Sequence, residues 1–125
     1  MEIIQSPSNK GFTVYSKSGC PNCKLVKNLI KEKNFSIHII DCDEYLIENK
    51  ELFLQFIESY SGKKHNVFPI VFYDENFIGG YTDTIDFIDK LLLSSFQNMG
   101  MNLEIVFANF SFLGLFISMI FYWIQ

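Results

Sequence analysis

Hydrophobic residues change their spacing several times along the chain, which predicts alternating strands and helices. Residues 12–16 alternate bulky and small side chains after a lead rich in Pro, Ser, Asn and Gly, a pattern typical of a short strand. From Pro21 to about residue 33, apolar residues recur at helical spacing with lysines on the opposite face, and proline suits the first helical position. Residues 35–41 are rich in isoleucine and predict a second strand that is apolar enough to be buried.

The following segment predicts a second helix that ends at Gly62, a usual C-terminal signal. Beyond it, two apolar runs flank residues 74–76, which is the pattern of an antiparallel hairpin. A last amphipathic helix extends to about residue 96, with Thr82 or Asp83 as its N-cap. The apolar stripe of the second helix comprises Leu46, Ile47, Leu52, Phe53, Phe56 and Ile57.

The predicted order of elements is βαβαββα. Alternation of strands and helices favours an α/β fold in which the first two strands are parallel. With 125 residues, the chain is long enough for one domain of ordinary size. We therefore expect an N-terminal lead at residues 1–10, one domain at residues 11–97 and a polar linker at residues 98–104.

Charge and cysteine usage narrow the function classes. The formal net charge of -4 argues against a nucleic-acid partner, because the lysines are scattered among acids. The three cysteines are Cys20, Cys23 and Cys42, and the N-terminus lacks the pattern of a secretory signal, so we expect a reducing compartment. There a CxxC pair is more often catalytic or metal-binding than structural. Cys42 is interpreted as a buried residue at the end of a strand.

The stretch "SKSGCPNC" places two thiols where a strand meets a helix. A thiol attacks as the thiolate, and the ordinary thiol pKa of about 8.5 leaves it mostly protonated at neutral pH. Unpaired N–H groups and the positive end of the helix dipole favour a thiolate on Cys20, and Lys17 adds a cation. Cys23, one turn further, is placed to attack a disulfide formed on Cys20. We expect no metal, because structural zinc needs four ligands and no second CxxC or CxxH is present.

Three motifs in this order resemble the glutaredoxin family of the thioredoxin-like fold. They are "YSKSGCPNC" at residues 15–23, "FPIVF" at 68–72 and "IGGYTD" at 78–83, and the resemblance covers roughly residues 11–96. It implies a three-layer α/β sandwich with a mixed sheet, and a dithiol oxidoreductase that uses glutathione as its co-substrate. The implied partners are glutathione and proteins that carry disulfides or bound glutathione.

The resemblance also implies roles for individual residues. Cys20 would be the nucleophile and Cys23 the resolving cysteine. Lys17 would contact the glycyl carboxylate of glutathione and favour the thiolate. The backbone of Phe68 would pair with the cysteinyl part of glutathione, next to the family's cis-proline position at Pro69. The remaining implied glutathione-binding residues are Val67, Gly80, Thr82 and Asp83, and Gly79 with Gly80 permits close backbone approach.

Some positions depart from the pattern of the family. Asn22 stands where an aromatic residue is usual, and Val67-Phe68-Pro69 replaces Thr-Val-Pro, which bears on glutathione affinity and substrate preference. The loop "SGKKHN" is longer than usual, so that either Lys63 or Lys64 is a second carboxylate-binding cation or both belong to a solvated turn. Two histidines are interpreted as structural or solvated, namely His38 and His65.

Residues 105–124 carry no charge and are long enough to cross a bilayer as a helix. Tyr122 and Trp123 match an interfacial aromatic anchor. A buried helix or a dimer interface is the alternative, but the segment is apolar around almost its whole circumference. We therefore expect a transmembrane helix that anchors the C-terminus in a viral or host membrane, with the redox domain in the cytosol.

The sequence therefore predicts a membrane-anchored, glutathione-dependent thiol-disulfide oxidoreductase. One alternative is a thioredoxin-like electron carrier that a reductase protein reduces. Another is a non-enzymatic iron-sulfur-binding module. Lys17 and the Gly79-Gly80 pair favour the first interpretation.

Overall fold

The computed structural model describes residues 3–98 and confirms the predicted order of elements. A compact unit extends to Phe87, inside the last helix, and contains every residue of the candidate site. The elements in chain order are β1 (Phe12–Ser16), α1 (Pro21–Glu32), β2 (Ile37–Asp41), α2 (Asp43–Ser61), β3 (Ile70–Tyr73), β4 (Asn76–Gly79) and α3 (Tyr81–Asn98).

The four strands found in residues 3–98 form one mixed sheet in the order β2-β1-β3-β4. β1 pairs in parallel with β2 and antiparallel with β3, and β3 pairs antiparallel with β4. All five residues of β1 are buried, as its central place in the sheet requires. The predicted parallel pairing of the first two strands is therefore confirmed, and the carboxyl end of β1 leads directly into the CxxC segment.

The hairpin between β3 and β4 turns on two residues, Asp74 and Glu75, whose φ values are 47° and 70°. Positive φ at both central residues is the requirement of a tight type I′ turn, which follows the twist of the two strands. Asp74 also fixes the start of β1, because its carboxylate accepts a hydrogen bond of 2.7 Å from the backbone N–H of Gly11. Asn76, which we predicted within the turn, instead begins β4.

The core contains several aromatic side chains and extends up to the CxxC pair. Phe53 on α2 is fully buried and stacks on Tyr45 and Phe68, with ring centroids 5.5 Å and 6.1 Å apart. Tyr15 on β1 meets the same ring at 6.0 Å. Cys23 belongs to this cluster of buried side chains, so the packing that stabilises the fold also fixes one sulfur of the site.

The prediction that β2 is a buried strand is wrong. The strand begins at Ile37 rather than at residue 35, and Ile40 is its one buried residue, while Ile39 is 39% exposed. β2 lies at the edge of the sheet, so it has a neighbouring strand on one side only. Isoleucine content indicated a strand correctly, but composition does not reveal the position of a strand in its sheet.

The predicted apolar stripe of α2 is only partly correct. Phe53 and Ile57 are fully buried, whereas Ile47 is 83% exposed and Leu52 is 44% exposed. The backbone of Asn49 leaves the helical conformation inside α2, with φ -158° and ψ 84°, and its side chain accepts a hydrogen bond from Leu52 N–H. Because of this kink, the helical spacing does not continue across Asn49, and the apolar residues of α2 do not form one continuous stripe. α2 ends as predicted, with Gly62 in the left-handed region at φ 74°.

The start of α3 also differs from the prediction. The helix begins at Tyr81, and the carbonyl of Gly80 accepts the first hydrogen bonds, from the backbone N–H of Thr84 at 3.1 Å and from its hydroxyl at 2.6 Å. Thr82 and Asp83 therefore lie inside the first turn, and neither is the N-cap. An acidic side chain in this turn is still favourable, because it faces the positive end of the helix dipole.

Within residues 3–98, no helix combines the length and the apolar character that crossing a bilayer requires. α3, for example, carries three aspartates and Lys90, and charged residues are costly in a bilayer. This finding contradicts the predicted location, which was a membrane with the redox domain in the cytosol on a C-terminal anchor. The predicted span itself, residues 105–124, lies outside the described residues.

Candidate active site

Cys20 and Cys23 form a disulfide at the N-terminus of α1, with their Cα atoms 5.3 Å apart. Cys20 is the N-cap of the helix, in an extended backbone conformation, and Pro21 occupies the first helical position. The sulfur of Cys20 accepts a hydrogen bond of 3.1 Å from the backbone N–H of Cys23. A group that accepts from a free N–H at this end of a helix is stabilised as an anion, which is the property that a nucleophilic thiol needs.

The two sulfurs differ in access. Cys20 is partly exposed, whereas Cys23 is only 1% exposed and packs in the aromatic core. A large substrate can therefore reach Cys20 but not Cys23. This difference agrees with the expected order of events, in which the outer sulfur attacks a substrate and the inner sulfur attacks the outer one.

Lys17 lies above the ring of Phe68, with its Nζ atom 5.3 Å from the ring centroid. The contact joins the loop before Cys20 to the segment before β3, although 51 positions separate the two residues in the sequence. Phe68 is 7% exposed and belongs to the same buried cluster as Cys23. A cation–π contact of this kind is worth about 0.5–1 kcal/mol where the cation is exposed, as Lys17 is.

The segment before β3 contains a cis peptide bond between Phe68 and Pro69. Val67 is 64% exposed, while Phe68 and Pro69 are buried. Gly80 lies close to this segment, because a Cβ atom built on it would be 3.7 Å from the carbonyl oxygen of Pro69. The structure thus brings the cis-proline segment beside the start of α3.

Thr82 and Asp83 are exposed in the first turn of α3. Gly79, at the end of β4, has φ 133°, and a side chain built on it would overlap the carboxylate of Asp83. Only glycine therefore permits this approach of the β4 backbone to Asp83. The predicted residues lie in two groups, one around Cys20 and Phe68 and the other around Pro69 and Gly80. Their roles toward glutathione stay predictions.

Asp43, the first residue of α2, was not among the predicted site residues. Its carboxylate accepts two hydrogen bonds from Ser18, one from the backbone N–H at 2.9 Å and one from the hydroxyl. These hydrogen bonds, that from the hydroxyl first, lower the pKa of Asp43 below its ordinary value. An acid in the first turn of a helix after a predicted strand was a visible signal, but nothing in the sequence pointed to Ser18.

His65 and Lys64 line a cavity of about 360 Å³ beside α2, together with Glu51, Leu54, Gln55, Glu58 and Asn66. The ring of His65 packs edge-on against Phe77, and its Nε2 atom is buried without a hydrogen-bond partner among the described residues. His65 lies in the loop between α2 and β3 and is partly buried, so it has the structural role that was one of its two expected interpretations. Contact of Lys63 or Lys64 with glutathione stays a prediction.

Cys42, the remaining thiol of the chain, is fully buried, and burial raises its pKa to about 12. Its interpretation as a buried residue at the end of a strand is confirmed, since it lies between β2 and α2. Within residues 3–98, no three histidine, cysteine or acidic side chains come together in a way that would hold a metal ion.

Comparison with known proteins agrees with this geometry. The glutaredoxin family model matches residues 12–78, which is more than half of the chain. Glutaredoxin 1 of Rickettsia conorii is 34% identical over 84 residues, covering 63% of this chain and 78% of that protein. Glutaredoxin-2, mitochondrial, of Bos taurus is 29% identical over 83 residues, covering 66% of this chain but 50% of that protein. The match thus spans about half the length of the bovine relative.

Solved structures show the same fold. Glutaredoxin 1 from Francisella tularensis, in a complex with cacodylate, superposes with a TM-score of 0.57 at 26% identity, over 65% of this chain and 94% of that one. A buckwheat glutaredoxin–glutathione complex gives a TM-score of 0.53 at 23% identity, over 71% of this chain and 78% of that one. With its CxxC pair at the start of α1 and the family match across β1 to β4, the chain belongs to the glutaredoxin family of thiol-disulfide oxidoreductases.

Proposed function

We propose that this protein reduces protein disulfides or glutathione mixed disulfides, with glutathione as the co-substrate. The observation that carries the proposal is the partly exposed sulfur of Cys20 at the N-cap of α1, which accepts the N–H of Cys23. This donor and the helix dipole favour the thiolate of Cys20 after reduction. The thiolate is the attacking form in thiol-disulfide exchange.

In the monothiol route, the Cys20 thiolate attacks the glutathione sulfur of a mixed disulfide. A Cys20–glutathione disulfide forms, and the substrate sulfur leaves as a thiolate that takes a proton from water. A second glutathione thiolate then attacks the glutathione sulfur bound to Cys20. Glutathione disulfide leaves and the Cys20 thiolate returns, so that the net reaction converts one mixed disulfide and one glutathione into the substrate thiol and glutathione disulfide.

In the dithiol route, Cys20 attacks a protein disulfide and Cys23 attacks the resulting mixed disulfide at the Cys20 sulfur. The substrate leaves reduced, and the Cys20–Cys23 disulfide remains, which is the bond present in the structure. Two molecules of glutathione reduce that disulfide in turn. The burial of Cys23 supports its use in this intramolecular step, because an inner sulfur needs to reach only Cys20.

For glutathione itself, we propose a site along Val67, Phe68 and Pro69. Lys17 supports the placement of the glycyl carboxylate, since its ammonium group already lies above Phe68 and is exposed to solvent. The other implied contacts are Gly80, Thr82 and Asp83 at the start of α3. There a negatively charged Asp83 in the first turn suits the ammonium of the γ-glutamyl group.

The test is glutathione-dependent reduction of a small mixed disulfide by the full chain. We expect Cys20→Ser to abolish turnover and Cys23→Ser to keep a measurable part of it, because the monothiol route needs only Cys20. Cys42→Ser is the matched control, and it should keep turnover because Cys42 is buried outside both routes. Turnover that appears only with a thioredoxin-type reductase would refute the use of glutathione. No turnover with either reductant, from a protein that carries iron and sulfide, would refute the proposed enzymatic function.

A further inference from the structure

The loop that precedes Cys20 is held from both sides by the start of α2. The carboxylate of Asp43 accepts from the backbone N–H and the hydroxyl of Ser18, so both of its oxygens are occupied by one residue. One residue earlier, the backbone N–H of Cys42 donates to the carbonyl oxygen of Ser16 at 2.8 Å. Ser16 and Ser18 flank Lys17, so these hydrogen bonds fix the backbone of Lys17 on either side.

The backbone conformation between Ser18 and Cys20 is also constrained. Gly19 has φ 70°, a left-handed conformation, and Cys20 then takes up the extended conformation of the helix N-cap. The side chain of Lys17 reaches the ring of Phe68 from the fixed backbone. The carboxylate of Asp43 is thus connected through Ser18 to Lys17 on one side. On the other side it is connected through Gly19 to Cys20.

We propose that Asp43 is a positioning residue, whose two hydrogen bonds to Ser18 hold the loop of residues 17–19 so that Lys17 stays over Phe68 and Cys20 stays at the N-cap of α1. Asp43 contacts neither the sulfurs nor a substrate in this role. The effect on Cys20 is independent of the identity of the reductant. The effect through Lys17 rests on the proposed function, because it concerns glutathione.

The proposal is testable, because loss of the Asp43 charge and loss of its hydrogen bonds should change the pKa of Cys20 in opposite directions. Asp43 is an anion near the site, and removal of a nearby anion by itself favours the thiolate and lowers the pKa of Cys20. Loss of position has the opposite effect, since a loosened N-cap weakens the hydrogen bond to the Cys20 sulfur and raises that pKa. The direction of the change in Cys20 reactivity therefore distinguishes a charge effect of Asp43 from a positioning effect.

The experiment measures the rate at which iodoacetamide alkylates Cys20 in the reduced full chain, followed by mass spectrometry from about pH 4 to about pH 9. We expect Asp43→Asn to slow alkylation by about 3- to 10-fold at pH values well below the midpoint of the wild-type pH–rate profile, where the rate is proportional to the thiolate fraction. Ser18→Ala removes only the hydroxyl donor and should slow alkylation in the same direction, but less. Glu48→Gln removes one negative charge from the exposed side of the same helix and should leave the rate unchanged.

The further slowing caused by Ser18→Ala should be smaller in the Asp43→Asn background than in the wild type, because the asparagine amide holds the Ser18 hydroxyl less strongly than the carboxylate does. In the turnover assay, the KM for glutathione should rise by about 3-fold or more in Asp43→Asn, as loss of a well-placed cation would cause. An unchanged KM would overturn the part of the proposal that concerns Lys17.

Unchanged or faster alkylation in Asp43→Asn would overturn the positioning role. If Asp43→Asn does not fold, as judged by circular dichroism, Ser18→Ala decides in its place, and an unchanged rate in that variant overturns the role. Alkylation uses no glutathione, so slower alkylation together with no glutathione turnover in the wild type would support the role of Asp43 and refute the proposed function.

Discussion

The junction between β4 and α3 offers a sharp test, because two adjacent glycines differ in what they permit. Gly79 has φ 133°, and a Cβ atom on it would lie 2.9 Å from the Cβ of Asp83, closer than real Cβ contacts allow. Gly80 is not among the residues with positive φ, and its nearest neighbour would be 3.7 Å away, an ordinary contact. We therefore expect Gly79→Ala to be costly and Gly80→Ala to be tolerated.

The expected cost follows from three contributions. Backbone strain at a φ that L residues rarely adopt is about 1–3 kcal/mol. Displacement of Asp83 from the first turn of α3 loses about 0.3–1 kcal/mol of its interaction with the helix dipole. Alanine also lowers the entropy of the unfolded chain, which stabilises the folded state by about 0.4–1 kcal/mol. The net loss for Gly79→Ala is about 2 kcal/mol, or a fall in Tm of about 8–16 °C for a domain of this size.

The assay is thermal and urea unfolding of the full chain, wild type and both alanine variants, under identical conditions. The free energy of unfolding of Gly80→Ala should lie within about 1 kcal/mol of the wild-type value. Alanine is a poorer N-cap residue than glycine, but it also lowers the entropy of the unfolded chain, and the two effects oppose each other. Glutathione KM is a second measurement for Gly79→Ala, and it should rise if the displaced Asp83 contacts the γ-glutamyl group. Equal stability of the two variants, or a loss below about 0.5 kcal/mol in Gly79→Ala, would refute the argument from strain.

Two further predictions follow from the pKa shifts. Burial raises the pKa of Cys42 to about 12, so iodoacetamide at pH 8 should modify reduced Cys20 while Cys42 stays intact until urea unfolds the chain, and equal rates in the folded protein would contradict this. The lowered pKa of Asp43 contributes stability that is present above its unfolded value of 3.8 and is lost as the pH falls through the folded value. Wild type should therefore lose more stability than Asp43→Asn between about pH 5 and about pH 2 in urea unfolding, and parallel losses would contradict the linkage.

Local patterns were enough to predict much of this protein. β1 and α1 were predicted at or within a residue of their observed bounds, because alternation, helical spacing and a proline at the first helical position are properties of neighbouring residues. The same holds for the place of Cys20 at the start of α1 and for the end of α2 at Gly62, where a left-handed residue is needed. The order of strands and helices, and with it the fold class, followed from these signals.

Features that depend on the position of an element in the sheet were not predictable in the same way. The exposure of Ile39 follows from the place of β2 at the edge of the sheet, and the exposure of Ile47 follows from the kink at Asn49. Neither residue differs in type from its buried neighbours. Periodicity therefore gave the kind of element correctly, but not the extent to which its apolar face is covered.

The candidate site residues could be named from short stretches of sequence, since the CxxC pair, the proline before β3 and the glycines before α3 are each recognisable from adjacent residues. How these residues are held together depends on contacts between segments that are distant in the sequence. Ser18 and Asp43 are separated by 25 positions, and Lys17 reaches Phe68 across a still longer stretch of chain. The physical reason is that hydrogen bonds and ring contacts act over a few ångströms, so their partners are set by how α2 and β3 pack beside β1, which no local pattern encodes.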